Sequence, residues 1–137
     1  MIIDSNILVY SIDELSAKQK KAQNFLKENL GILEVAQQNI FETLRVITYP
    51  KYPRPMRIEA ALDAVENILD VCNVVSPNWK TKDIAINLIK KYHLSSDIIF
   101  DAYLVATALS NGIDTIATDN VQDFELFTEI KVVNPFS

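Results

Sequence analysis

The sequence predicts an α/β domain with a mostly parallel sheet, and three observations lead there. Short β-prone runs alternate with amphipathic helical stretches along the whole chain, the pattern of successive strand–helix units. The 137 residues amount to about one domain, and no repeat, low-complexity tract or linker divides them. Residues 1–137 are therefore read as a single domain. Apolar residues make up 49% and charged residues 23%, a balance that supports a buried core under a solvated surface.

Ile2-Ile3 forms a first short strand near residues 1–4, ending at Asp4, and Ile7-Leu8-Val9 continues as a short helical turn. Ser16 is placed to cap a helix whose apolar positions are Ala22, Phe25, Leu26 and Leu30, and Gly31 stops it. Its lysines, Lys18, Lys20, Lys21 and Lys27, read as a solvated face. Residues 32–36 suggest a brief strand, and Ile40, Phe41, Leu44, Val46 and Ile47 a largely buried helix that carries Glu42. Pro50, Pro53 and Pro55 then break any regular element. A helix from about Met56 to Leu69 has Ile58, Ala61, Leu62, Val65 and Leu69 on one face. Residues 71–75 read as a strand, with Cys72 a small core residue in it, and this run is the candidate for a central position. An amphipathic helix over 83–94 follows. Asp97 opens the most apolar helix, 98–109, which Gly112 terminates. Residues 113–118 form a strand ending at Asp119, and Val132-Val133 a last short one.

Composition excludes several functions. Two glycines, Gly31 and Gly112, cannot build a dinucleotide-binding turn or a P-loop. One cysteine and one histidine, Cys72 and His93, allow neither a disulfide framework nor a Cys/His zinc site, and no pattern supports them as a nucleophilic dyad. His93 reads as structural. No basic leader opens the chain and no apolar run reaches the ~18 residues of a membrane helix, so a cytoplasmic protein without membrane attachment is expected. The net charge of −5, from 13 basic and 18 acidic residues, speaks against non-specific coating of nucleic acid.

Where the acids fall matters more than their number. Glu28, Glu59, Asp63, Glu66, Asp70 and Asp83 lie where a solvated face puts them. Asp4 and Asp119 each end a strand, where sites gather in open α/β sheets, although either alone also suits a helix cap or turn. Glu42 stands in an apolar stretch, with a local pair to Arg45 as the plainer explanation. Asp101 lies within Ile98-Ile99-Phe100-Asp101-Ala102-Tyr103-Leu104-Val105-Ala106 and has no basic residue within a turn, while Asp97 one turn earlier adds repulsion. An ionised carboxylate there costs several kcal/mol unless paired. If these four acids converge, carboxylates ~5 Å apart repel by roughly 3 kcal/mol per pair, against a total stability of only ~5–15 kcal/mol. A divalent cation or a shared proton resolves that conflict. With oxygen donors alone, the expected ion is Mg²⁺ or Mn²⁺, and the chemistry is attack of activated water on a phosphodiester.

At these residues the chain resembles the PIN-domain ribonucleases, and among them the VapC-type toxins of toxin–antitoxin pairs. The matching stretches are Ile3-Asp4-Ser5-Asn6-Ile7-Leu8-Val9-Tyr10, Asn39-Ile40-Phe41-Glu42-Thr43-Leu44-Arg45, Phe100-Asp101-Ala102-Tyr103-Leu104-Val105-Ala106-Thr107-Ala108-Leu109, then Ile116-Ala117-Thr118-Asp119-Asn120 and Asp123-Phe124. The resemblance implies a three-layer α/β/α sandwich and an endoribonuclease that uses one or two Mg²⁺ or Mn²⁺ ions and leaves 5′-phosphate and 3′-hydroxyl ends. It implies Asp4, Glu42, Asp101 and Asp119 as catalytic, metal-holding acids, Asp123 as an additional acid, and Asn6, Thr118 and Asp97 in support. It further implies a VapB-type antitoxin, whose C-terminal segment blocks the site, and a homodimer. Ser5 stands where many relatives carry Thr, which keeps the hydroxyl.

An RNA path is argued separately. Arg45, Lys51, Arg54 and Arg57 occur with no acid between Glu42 and Glu59 and are interleaved with Tyr49 and Tyr52, as cations for phosphates and rings for unpaired bases. A solvated loop around three prolines explains the same residues, and both readings stay open. Two further functions remain as alternatives: a PIN nuclease that processes ribosomal or transfer RNA without toxicity, and a non-catalytic signalling or RNA-binding α/β domain. A receiver-like phosphoacceptor needs an exposed Asp ending the central strand and a nearby Lys, and 73–76 offers no Asp.

Overall fold

The computed structural model describes all 137 residues. Five short strands, β1 (Ile2–Ile3), β2 (Glu34–Ala36), β3 (Asn73–Val75), β4 (Thr115–Ala117) and β5 (Lys131–Val133), form one sheet in the order β3-β2-β1-β4-β5. Every pairing is parallel. The helices are α1 (Ser5–Ile12), α2 (Gln19–Glu28), α3 (Gln37–Ile47), α4 (Ile58–Leu69), α5 (Thr81–Tyr92), α6 (Ile98–Ser110) and α7 (Val121–Phe124).

Alternation along the strands sorts the core into two layers. Ile2 and its cross-strand partner Ile116 pack with Leu88 of α5 and with Ala102, Val105 and Ala106 of α6. Ile3 and its partner Ala117 pack on the opposite side with Ile7 and Leu8 of α1 and Ala22 and Leu26 of α2. A smaller cluster of Val9, Ile47, Ala61 and Val65 ties α1 to α3 and α4. The result is the expected α/β/α sandwich, closed by burial of apolar side chains at about 1.5–3 kcal/mol each.

The chain winds outward from β1 through β2 to β3, then returns across to β4 and β5 on the other side. The winding direction therefore reverses between β1 and β4, and the crevice outside the carboxyl ends of those two strands is where such sheets bind ligands. Asp4 follows β1 there, and Thr118 follows β4.

Several expectations need correction. The run at 73–75 is an edge strand, not the central one, so Val74 is exposed and Cys72 sits in the turn before it. The central strand is β1, and it does end in an Asp. Asp4 is buried, however, which removes the exposed phosphoacceptor that a receiver needs. Ser16 does not cap α2 directly. Its hydroxyl accepts the Lys18 N–H at 3.1 Å in the turn that leads in, and Leu30 falls past the helix end, 57% exposed. Nor is α3 largely buried: Phe41 is 67% exposed, and the buried stripe is Asn39, Thr43 and Ile47. His93 has the structural place expected of it, ending α5 in the left-handed conformation at φ 53°.

Candidate functional site

Asp4 is the hub of the crevice. Leaving β1, its carboxylate accepts the Ser5 N–H at 2.8 Å and so caps α1, which makes the cap and the site the same residue. It is 7% exposed. Thr118 donates its hydroxyl to Oδ2 at 2.7 Å, Asn6 donates to Oδ2 at 3.3 Å, and Asn39 donates to Oδ1 at 3.4 Å. Asn6 also donates to Thr118 Oγ1 at 3.1 Å and accepts the Asp119 N–H at 3.2 Å. Thr118 and Asn6 thus stitch the ends of β1 and β4 together around one carboxylate. Burial nevertheless raises the Asp4 pKa above its usual range. The Thr118 and Ser5 hydrogen bonds oppose the rise, and Glu42 and Asp123 add to it.

Glu42 reaches the same place from α3. Ser5 donates its hydroxyl to Oε2 at 3.2 Å and Gln38 donates to Oε1 at 2.8 Å, so the local pair with Arg45 is not what holds it. Asp101 enters from the first turn of α6, whose following residues, Ala102 and Leu104 to Ala108, are buried against the sheet. Its pKa is pushed up to about 7, first by burial, then by Asp123, Asp4 and Glu42, and least by Asp97. Asp97 is close enough to be felt but does not line the crevice. Asp123, on α7, completes the set.

These four carboxylates line one cleft of about 370 Å³. Ser5, Asn6 and Asn120 add polar atoms, and Val9, Tyr10, Val46, Tyr52 and Phe124 supply an apolar flank. No Lys, Arg or His lines it. All-oxygen, carboxylate-rich donors without a counter-charge suit a hard divalent cation. They do not form a ready-made cage, since no three converge to hold an ion between them. A hard cation that keeps several of its waters needs only one or two carboxylates directly.

Asp119 is not among them. Its side chain accepts the ammonium of Lys18 as an ion pair and the Tyr10 hydroxyl at 3.1 Å. The Lys18 bond is the largest cause of a pKa held below the usual carboxylate range, and Asp119 in turn raises that of Lys18. The lysine expected on a plain helix face is therefore a structural counter-ion. Asn120 and Asp123, one helical turn apart, face the cleft where Asp119 was expected to. Along the basic stretch, Arg54 lies 3.9 Å from Glu14, Arg57 lies 3.9 Å from Glu59, and Arg45, Lys51 and Tyr49 do not line the cleft. Of that group only Tyr52 does. Asn39 and Tyr10 were missed by sequence reasoning. The helical spacing of Asn39 with Thr43 and Ile47 was the signal for the first, hidden because two of the three are polar.

Among curated proteins, none matches the chain by sequence. Solved structures share its fold, among them the three that follow. FitAcB from Neisseria gonorrhoeae superposes with a TM-score of 0.76 at 15% identity, over 98% of this chain and 97% of that one. VapBC2 from Rickettsia felis, bound to a DNA fragment from its promoter, gives 0.71 at 15% identity over 97% and 96%. VapC20 from Mycobacterium tuberculosis, a toxin that cleaves the sarcin–ricin loop, gives 0.71 at 12% identity over 92% and 94%. At these identities the likeness is one of fold. The PIN domain profile matches residues 1–126, and with the fold and the acid-lined crevice in agreement, the chain belongs to the PIN domain family.

Proposed function

We propose that the chain is a divalent-metal-dependent endoribonuclease of the VapC type, the toxin of a toxin–antitoxin pair. The observation that carries this reading is the set of four carboxylates, Asp4, Glu42, Asp101 and Asp123, lining one cleft without a cation among its residues. The description of VapC20 as a loop-cleaving toxin supports the choice of RNA.

Asp4, Asp101 and Asp123, with Glu42 beside them, would hold Mg²⁺ or Mn²⁺, as one ion or two. When bound, the cation supplies charge compensation for the phosphodiester and polarises the attacking water. The chain's own residues do the rest. Thr118, Asn6 and Asn39 fix the orientation of Asp4, while Ser5 and Gln38 fix that of Glu42. In the metal-free chain burial and its acidic neighbours push the Asp101 pKa up to about 7, so this carboxylate exchanges a proton around neutral pH. The P–O3′ bond breaks, water provides the new oxygen of the 5′-phosphate, and the departing O3′ takes up a proton to leave a 3′-hydroxyl. Asp119 is left out of the metal-holding set because Lys18 already neutralises it.

A VapB-type antitoxin and a homodimer belong to the same proposal. Two separate apolar surfaces are available for them. One includes Ile86 and Phe100, and the other Leu30 and Val71.

The test is cleavage of a mixed single-stranded RNA with Mg²⁺ or Mn²⁺, with EDTA and Asp101→Asn as controls and the product ends mapped. Metal-dependent cuts bearing 5′-phosphates, absent in the variant, are expected. Undiminished cleavage by Asp101→Asn would sink the assignment. Growth arrest on induction, relieved by the Asp101→Asn change, is the outcome that distinguishes a toxin from a processing nuclease.

A further inference from the structure

The carboxylate cleft has an aromatic flank that the acid chemistry does not use. Tyr10 of α1 and Tyr52 of the proline-broken loop line it beside Val9 and Val46. Each phenol hydroxyl is tied down by an acid that does not line the cleft: Tyr10 donates to Asp119 at 3.1 Å, and Tyr52 donates to Asp13 at 2.8 Å. Behind Tyr10, Phe136 packs edge-on with ring centroids 5.4 Å apart, and the Lys18 ammonium lies 5.2 Å from the ring centroid. Tyr52 rests on the cluster that contains Val9 and Ile47. Both rings keep part of their surface open.

A ring anchored at its hydroxyl and packed from behind has already lost most of its freedom, so presenting it to a ligand costs little further entropy. What it can receive is narrow. The hydroxyls are already donating to carboxylates, and the neighbouring acids disfavour a second anion on this flank. A flat, uncharged, weakly polar group fits, and next to a site for phosphodiesters that group is a nucleobase.

We propose that Tyr10 and Tyr52 form a base-holding wall that receives one unpaired nucleobase of a single-stranded RNA beside the carboxylates. Base–aromatic contact tolerates any base, because every base has a π-face, but it requires that the base be out of a duplex. Sequence selection then falls to other contacts, and strandedness is selected here. The choice of RNA rests on the nuclease reading above. The test therefore reads binding rather than cleavage, so that either can fail alone.

Protein carrying ¹³C-labelled tyrosine presents five ring signals. The probe is a short mixed-sequence 2′-O-methyl phosphorothioate RNA, resistant to hydrolysis, added with Mg²⁺. The Tyr10 and Tyr52 signals are expected to shift, those of Tyr92 and Tyr103 to stay, and a strand of the same length lacking bases to move none of them. Tyr52→Leu is expected to weaken binding about tenfold or more, and Tyr52→Phe, which keeps the ring, by no more than about threefold. Because the shifts are read in the wild-type protein, an unfolded Leu variant does not blunt the test. Failure to bind the RNA, binding that leaves both rings unmoved, or equal shifts with the base-free strand each overturns the proposal. RNA cleavage without ring shifts removes the base wall and leaves the nuclease standing. Ring shifts without cleavage do the reverse.

Discussion

Asp101 and Asp119 stand at the same end of the sheet in opposite electrical settings. Asp101 shares its cleft with three other carboxylates and no cation, and its pKa climbs to about 7 under burial and its acidic neighbours. Asp119, which does not line the cleft, receives Lys18 and the Tyr10 hydroxyl, and its pKa falls. Motif reading treats the two alike, because both are acids in the right order along the chain. The structure separates them by counter-charge. An acid that the protein has already neutralised stabilises the fold, and an acid left with its repulsion unresolved is the one poised for an external cation.

The comparison is broken most directly by activity. Asp101→Asn is expected to reduce metal-dependent RNA cleavage by at least ~10³-fold, the scale of removing a group that acts on the reacting atoms. Asp119→Asn is expected to stay within about fivefold, the effect of loosening Tyr10 rather than of losing a ligand. Equal losses in a cleavage assay would place both acids in one site.

Stability sharpens it next, with opposite signs. Asp101 has a folded pKa near 7 against ~3.9 unfolded, so the folded state holds its proton more tightly. Below ~pH 4 both states are protonated and nothing is lost. Stability then falls as pH rises, and the full penalty is present above about 7. Asn cannot ionise, so in EDTA the Asp101→Asn variant is expected to match the wild type near ~pH 4 and to exceed it above neutrality. The gain is roughly 1–2 kcal/mol after discounting for solvent screening, or about 3–8 °C in Tm. Thermal melts at acid and alkaline pH read both ends of that window.

Much of this fold was legible because it depends on local pattern. Alternating strand and helix signals, Gly112 at positive φ directly after the C-cap of α6, and the proline-broken loop all express short-range preferences, whereas α2 ends at Glu28, ahead of the Gly31 expected to stop it. Strand order does not. The apolar run at 73–75 looked central, yet its place at the edge is set by the crossover from β3 to β4. In α3 the buried stripe was disguised, since it contains two polar residues, Asn39, whose amide donates to Asp4, and Thr43, whose hydroxyl donates to the Asn39 carbonyl. The candidate site was legible at Asp4, Glu42 and Asp101, where an acid interrupts an apolar run or ends a strand. At Asp119 it was not, because the neutralising Lys18 lies 101 residues earlier in the chain. No local pattern encodes a partner at that distance.

Asp119→Asn is expected to lower stability at neutral pH by less than Asp101→Asn raises it. A depressed folded pKa contributes stability that is fully present above the unfolded value and is lost as pH falls through the folded one, so this deficit fades in acid. It also shrinks as salt is added, because Lys18 is substantially exposed. The smallest expected effect is the most discriminating. Lys18→Met removes the cation from Asp119 and leaves every residue of the carboxylate cleft in place. Isothermal titration with Mn²⁺ is expected to give an affinity within about twofold of wild type, whereas Asp123→Asn weakens it by about tenfold or more. If Lys18→Met instead tightens Mn²⁺ binding, Asp119 has turned inward to join the ion. Lys18 is then a placeholder for the metal, and the two regions are one site in two states of charge.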